Sequence, residues 1–228
     1  FTKKKNQNLF CNLIDIHCHV LPSIDDGSEN TDESIIMLEW YDKLNFYGFI
    51  PTPHIFKELY PNNQKIIDHK YQNFKRLLQD YNFNVKLLGY GAEYMLDEFF
   101  LEEIKIKNPL ICVFKNFVLL EILSNSSIEI LKAIAFNIQK NSYVPILAHP
   151  ERYYSIKTKF DLIDLKNRGI TMQLNALSLT GKYGRLITKK SREWLKLGLY
   201  DFISTDVHNE KDFKLLNKVR LKNKELYK

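Results

Sequence analysis

Short hydrophobic runs recur along the chain, and between them lie stretches of ten or more residues whose apolar positions return with helical spacing. The strand-like runs are Leu13 to His17, Phe46 to Thr52, Val85 to Glu93, Phe117 to Glu121, Val144 to His149, Ile170 to Asn175 and Leu199 to Asp206. This alternation predicts repeated β-α units and an α/β fold with a parallel sheet or barrel. Closing the seven units gives a TIM-like (β/α) barrel related to the eight-unit one, in which functional groups sit on loops at the carboxyl ends of the strands.

The helical stretches carry their own start and stop signals. Asn30-Thr31-Asp32-Glu33 supplies a helix start, and Ile35, Ile36, Leu38, Trp40 and Leu44 an amphipathic body that ends by Gly48. Further helices are expected over Lys65 to Asp80, Ser127 to Lys140, Lys159 to Arg168, Leu186 to Leu197 and Glu210 to Tyr227. Gly169 and Gly198 directly follow two of them, where a left-handed cap residue is wanted. No repeat, low-complexity stretch or Pro/Gly-rich linker divides the chain, so residues 1–228 are expected to form one domain, with 1–12 a short basic tail. The segment Asp97 to Asn116, rich in Ile, Phe, Leu and Lys, is expected either to cap the barrel or to meet another chain.

Composition narrows the class without choosing a function. With 45% apolar and 13% aromatic residues, a chain of 228 suffices for a substantial core. No apolar run approaches a membrane span, and the lysine-rich start has no following apolar region or cleavage site, so a cytoplasmic protein without membrane insertion is expected. The chain opens on Phe1 rather than Met, which is compatible with a short leader ahead of it. Three cysteines, Cys11, Cys18 and Cys112, fit a reducing compartment better than a disulfide framework. The net charge of +6 is spread along the chain, with only Lys3-Lys4-Lys5 forming a run, and this argues against a nucleic-acid partner.

Nine residues able to bind metal fall at the ends of the strand-like runs: His17, His19, Asp26, His54, Glu93, Glu121, His149, Asp206 and His208. They include five of the six histidines, which scattered surface residues would not do. In Asp15-Ile16-His17-Cys18-His19 the two imidazoles stand two apart and face one side of a strand, while Cys18 faces the other as a small buried residue. Asp25-Asp26-Gly27 places adjacent acids before a glycine turn, and Pro51-Thr52-Pro53-His54 stops a strand and presents a histidine. Glu93 and Glu121 each end an apolar strand, where a carboxylate is costly unless paired or bound to metal. Arg152, three residues after His149, offers a fork that matches phosphate oxygens or else pairs with Glu151 or a neighbouring acid. His69 falls inside a helix pattern and is expected to face solvent.

Together, Asp15 to His19, Asp25-Asp26-Gly27, Thr52-Pro53-His54, Gly91-Ala92-Glu93, Leu147 to Tyr153 and Thr205 to His208 resemble the polymerase and histidinol phosphatase (PHP) superfamily. They are most similar to its bacterial branch of metal-dependent protein-tyrosine phosphatases that accompany capsule or exopolysaccharide tyrosine kinases. The resemblance runs from about Ile14 to His208. It implies a distorted seven-stranded PHP barrel holding three divalent or trivalent metal ions, with manganese first and iron, zinc or magnesium also compatible. It further implies that His17, His19, Glu93 and Asp206 hold one ion, that Glu93 bridges to a second on Glu121 and His149, and that Asp26, His54 and His208 hold the third. A hydroxide bridging two ions at Glu93 would attack phosphorus, and Arg152, with Arg185 as a weaker candidate, would bind phosphate oxygens.

The implied partner is the phosphotyrosine-bearing tail of a bacterial tyrosine kinase, with assembly into a homo-oligomer also implied. A cysteine-nucleophile phosphatase needs an arginine six positions after its cysteine; the residues there are His17, Ile24 and Val118, so that mechanism is excluded. Two readings stand beside the leading one: a phosphoesterase acting on a small molecule such as histidinol phosphate or a nucleotide, and a non-catalytic metal-binding module.

Overall fold

The computed structural model describes residues 10–123 and 126–219. In chain order the strands are β1 (Ile14–Asp15), β2 (Gly48–Phe49), β3 (His54–Ile55), β4 (Lys86–Leu87), β5 (Glu93–Met95), β6 (Phe117–Glu121), β7 (Val144–Ala148), β8 (Thr171–Asn175) and β9 (Phe202–Ser204). All pair in parallel, in a three-stranded sheet ordered β1-β2-β4 and a six-stranded sheet ordered β3-β5-β6-β7-β8-β9. The mixed α/β class with parallel sheets is as expected, but the run Val85 to Glu93 is divided between the sheets, and Phe46 to Thr52 is followed by a further strand, β3, in the other sheet.

Both breaks have local causes. Pro51 and Pro53 lack the N–H that a ladder needs, so the run that begins as β2 resumes as β3 at His54. Its neighbour divides opposite, between β4 and β5, around Gly91, where a Cβ would lie 3.0 Å from the Cα of Val113. The two stretches stay side by side across the break, because proline still accepts: Gly91 N–H donates to the carbonyl of Pro51 (2.9 Å) and Glu93 N–H to that of Pro53 (3.1 Å). A parallel bridge between Cys18 and Val207 links the chain after β1 to the chain after β9. There Asp206 N–H donates to His17 O at 2.8 Å and His19 N–H to Val207 O at 3.0 Å.

The helices are α1 (Thr31–Lys43), α2 (Gln64–Leu77), α3 (Glu98–Lys105), α4 (Ile128–Lys140), α5 (Lys159–Asn167), α6 (Arg185–Lys196) and α7 (Glu210–Leu216). Asn30 caps α1 by accepting from Glu33 N–H, and the buried face is Ser34, Met37, Leu38 and Tyr41, whereas Ile36 is exposed. Gly169 and Gly198 take the expected left-handed conformation, at φ 79° and 68°. The expected last helix is described as far as Leu216; its continuation beyond residue 219 and the Lys3-Lys4-Lys5 run lie outside the described residues.

Helix α3 lies within the segment Asp97 to Asn116, capped by Asp97, which accepts from Phe100 N–H. The segment contributes Phe100, Ile104 and Ile111 to the main core between sheet and helices. A second cluster, of Ile16, Ile50, Val113, Leu119, Ile146 and Ala148, packs on its own. Leu119 stands two residues before Glu121, on the same face of β6, so this apolar layer lies directly beneath the carboxyl-end residues. β6 and β7, buried on both faces, are apolar until Glu121 ends the one and His149 follows the other, whereas β8 alternates polar and apolar side chains. Among the described residues, no helix is long and apolar enough to cross a membrane.

Candidate metal centre

All nine predicted residues converge on one side of the sheets, where β1, β6, β7 and β9 end and β3 and β5 begin. His17 and His19 follow β1, Asp26 lies in the loop after it, and His54 and Glu93 are register partners at the starts of β3 and β5. Glu121 ends β6, His149 follows β7, and Asp206 and His208 follow β9. His149 and Asp206 adopt left-handed backbone, at φ 35° and 52°. For residues with side chains that conformation costs on the order of 1–3 kcal/mol, and here it turns each chain sharply at the end of its strand.

The side-chain atoms form overlapping groups. Donor atoms of His17, His19, Glu93 and Asp206 lie within 4.8 Å of one another; so do those of His19, Asp26, His54 and His208, and those of His54, Glu93 and Glu121. His149 completes the set, with its Nε2 3.4 Å from Glu93 Oε1 and 3.4 Å from Glu121 Oε1. Glu93 belongs to two of these groups and lies against a histidine of each. His17 Nε2 and His54 Nδ1 lie 3.1 and 3.2 Å from its Oε2.

Both oxygens of Glu93 are buried and accept no hydrogen bond, although four imidazoles surround them. A buried carboxylate normally has donors. Imidazole nitrogens and carboxylate oxygens converging without hydrogen bonds suit a cation held between them, and the mixed N/O donor set fits a first-row transition metal.

Electrostatics point the same way. Burial opposes a charge on His17, but Glu93 and Asp206 outweigh it and raise its pKa to about 9. Burial likewise disfavours charge on Asp206 and Glu93, yet the imidazoles beside them, His17 foremost, hold both well below the carboxylate range. Burial, helped by nearby Glu93, pushes Glu121 up to about 7, while burial and Arg152 lower His149 to about 4. Carboxylates that favour a proton on His17 favour a metal cation in its place, because ligation displaces protons.

Several supporting residues escaped the sequence reading. Asp25 accepts from or pairs with His19 Nδ1 at 2.8 Å and accepts from His54 N–H at 3.0 Å, and His19 holds its pKa down to about 2 despite burial. Gln173 Oε1 meets His17 Nδ1 at 3.1 Å and accepts from His149 N–H at 3.2 Å, so one amide orients two ligand candidates. Asn175 donates to Asp206, and Tyr183 lies under the Arg152 guanidinium, 4.7 Å from ring centroid to Cζ. The signal was the polar alternation in Met172-Gln173-Leu174-Asn175, since Gln173 and Asn175 share one face of a buried strand.

Arg152 pairs with Asp206 at 3.0 Å and lines the cavity above the cluster. Glu151 is not its partner: it is buried, accepting from Ser178 Oγ, Asn175 N–H and Tyr200 Oη. Arg185 is exposed at the first turn of α6 and does not line that cavity. Cys18 is fully buried, and His69 is exposed beside Asn73.

Parallel β-α units with imidazoles and carboxylates gathered where their strands end define an α/β protein whose site can hold metal ions. Comparison with known proteins places it further. The family model for capsular polysaccharide synthesis, CpsB/CapC, matches residues 13–216, and the chain belongs to that family. CapC of Staphylococcus aureus is 31% identical over 202 residues, covering 86% of this chain and 77% of that protein. The tyrosine-protein phosphatase YwqE of Bacillus subtilis is 26% identical over 200 residues, covering 87% and 78%. A solved structure from the work on YwqE from Bacillus subtilis and CpsB from Streptococcus pneumoniae, described as unique metal-dependent tyrosine phosphatases, superposes with a TM-score of 0.80. It is 24% identical and covers 94% of this chain and 90% of that one.

Proposed function

We propose that this protein is a metal-dependent protein-tyrosine phosphatase of PHP type that acts on the tyrosine-phosphorylated tail of a kinase in capsule or exopolysaccharide synthesis. The observation that carries the reading is Glu93, a buried carboxylate without hydrogen-bond donors at the meeting point of His17, His19, His54 and His149. His17, His19, Glu93 and Asp206 would hold one ion, Glu93, Glu121 and His149 a second, and Asp26, His54 and His208 a third, with manganese the first candidate. Such ions supply Lewis acidity toward a phosphoryl oxygen and a nucleophile at neutral pH.

The chain's own residues supply the rest. Arg152 stays charged, because Asp206 and the other anionic groups around it outweigh the effect of burial. Its guanidinium commits an N–H to Asp206 and has further donors for phosphate oxygens. Gln173 fixes the rings of His17 and the backbone of His149, and Asp25 fixes His19. A phenol leaves with a pKa of about 10, so no strong acid need protonate it. The bridge between Cys18 and Val207 supports reading the two sheets as parts of one distorted barrel. Three unpaired cysteines support a cytoplasmic location.

The test is phosphate release from a phosphotyrosine peptide and a matched phosphoserine peptide, with manganese added to metal-stripped protein and His149→Ala in parallel. Manganese-dependent, tyrosine-selective release that the variant lacks is expected. Release that survives both chelation and His149→Ala, or no release from either peptide, overturns the reading, and the second result points to a small-molecule ester.

A further inference from the structure

The cavity of about 210 Å³ over the cluster has two unlike sides. One is charged and includes Glu93, Glu121, Asp206 and Arg152; the other is made by Phe56, Leu59, Tyr60 and Met95. We propose that the loop from Phe56 to Tyr60 selects aryl over alkyl phosphate esters, with Leu59 as its contact to the substrate ring. The inference rests on the phosphatase reading above and adds to it the residues that recognise the leaving group.

The loop is built into the site rather than draped over it. Phe56 and Tyr60 exchange backbone hydrogen bonds of 3.0 and 2.7 Å, closing a five-residue hairpin immediately after β3. Asn62 ties its base down, donating to the carbonyls of His54 (2.8 Å) and Ile24 (3.0 Å). Lys57 fastens the outer side, with its Nζ 4.5 Å from the ring centroid of Phe99. Tyr60 stacks on His54 with centroids 5.5 Å apart and planes 15° from parallel, so the loop keeps register with one of the ligand candidates.

Leu59 stands at the tip of this hairpin, 65% exposed, yet it lines the cavity. A single exposed leucine is ordinary on a protein surface. This one is held by a closed hairpin among three other apolar side chains that face a charged floor. A phosphate seated against Arg152 and the cluster would carry its ester group toward that wall. An aryl ring would cover Leu59 and remove apolar surface from water on both sides, with edge and face contacts to Phe56 available as well. A short alkyl ester leaves the wall wet, so the loop contributes to binding one class and not the other.

The experiment compares phenyl phosphate with ethyl phosphate in wild type, Leu59→Ser and Leu59→Met, with manganese-loaded protein. Calorimetric binding of phenylphosphonate and methylphosphonate runs alongside, because neither is turned over. Leu59→Ser should lower the phenyl-to-ethyl ratio of kcat/KM by about five- to tenfold, mainly through KM, and weaken phenylphosphonate by a similar factor. Leu59→Met, which keeps the apolar surface, should retain the wild-type ratio. Equal losses on both esters in Leu59→Ser, or none, overturn the loop's role while leaving the phosphatase reading intact. Wild type that releases phosphate from neither ester overturns both.

Discussion

The side-chain amide of Asn175 donates to Oδ2 of Asp206 at 2.6 Å, while Oδ1 of the same carboxylate faces His17 at 3.3 Å and His19 at 3.4 Å. The amide's orientation follows from its other bond, because Asn175 Oδ1 accepts from Leu177 N–H at 2.8 Å, which leaves the NH2 group for Asp206. One oxygen of Asp206 is thus held by the protein and the other is presented to the cluster. Loss of such a supporting bond typically costs about 10- to 100-fold in metal affinity or activity. Asn175→Ala should therefore lower manganese affinity within that range, as measured by competition with a chelating dye. Affinity equal to wild type would show that Arg152 alone suffices to orient Asp206.

Gly27 is constrained by a different neighbour. A Cβ there would lie 2.1 Å from the carbonyl oxygen of His19 and 2.4 Å from its Cβ. Neither atom is the end of a flexible side chain, and His19 is itself fixed by Asp25. Gly27→Ala should displace His19 from the cluster and destabilise the fold by about 1–3 kcal/mol, the usual penalty for overpacking. Thermal unfolding and metal content should both fall. A variant that keeps full metal content would show that the Asp25-Asp26-Gly27 turn yields without moving His19.

What could be read in the sequence, and what could not, follows the reach of each interaction. The ligand candidates were legible because each ends an apolar run, and a polar residue there can serve only the strand end. Gln173, Asn175 and Tyr183 were not, because their roles lie in contacts with residues distant in the chain, Gln173 and His17 being 156 positions apart, and Asp25, six positions from His19, reads in the sequence as part of an Asp-rich turn. Helix α3 was missed because its eight residues make only about two turns, too short for the four-residue spacing of Phe100 and Ile104 to stand out as a period. The break between β2 and β3 and the division of Val85 to Glu93 opposite it were only half visible. Pro51 and Pro53 mark the first break, but nothing local shows that the neighbouring run divides opposite it.

Arg152 combines a salt bridge to Asp206 at 3.0 Å with stacking over Tyr183 at 4.7 Å. Lysine in its place keeps the charge but loses the planar fork and the stacked geometry. If the fork binds phosphate as charge develops, Arg152→Lys should lower kcat by about 100-fold while metal content stays at the wild-type level. Tyr183→Leu, which removes only the stacking face, should cause a smaller loss of the same kind. Arg152→Lys with kcat close to wild type would show that positive charge alone is required.

Lys190 gives a prediction about pH that is separate from the cluster. Its Nζ donates to the carbonyls of Ile156 and Tyr153 and sits 4.5 Å from the ring centroid of Trp194. Burial lowers its pKa from 10.5 to about 8, only partly offset by Glu151 and Asp161. Below about pH 8 both folded and unfolded chains carry the proton, and the fold bears the whole penalty of a partly buried charge. Between about pH 8 and the unfolded value near 10.5, the unfolded chain binds more protons, so stability from this group rises with pH. Lys190→Met has no proton to lose there. Denaturant unfolding of both proteins should therefore show wild type gaining on the variant as pH rises from about 7.5 to about 10, whatever constant offset the lost hydrogen bonds introduce. Parallel curves would mean that solvent reaches Lys190 well enough to keep its ordinary pKa.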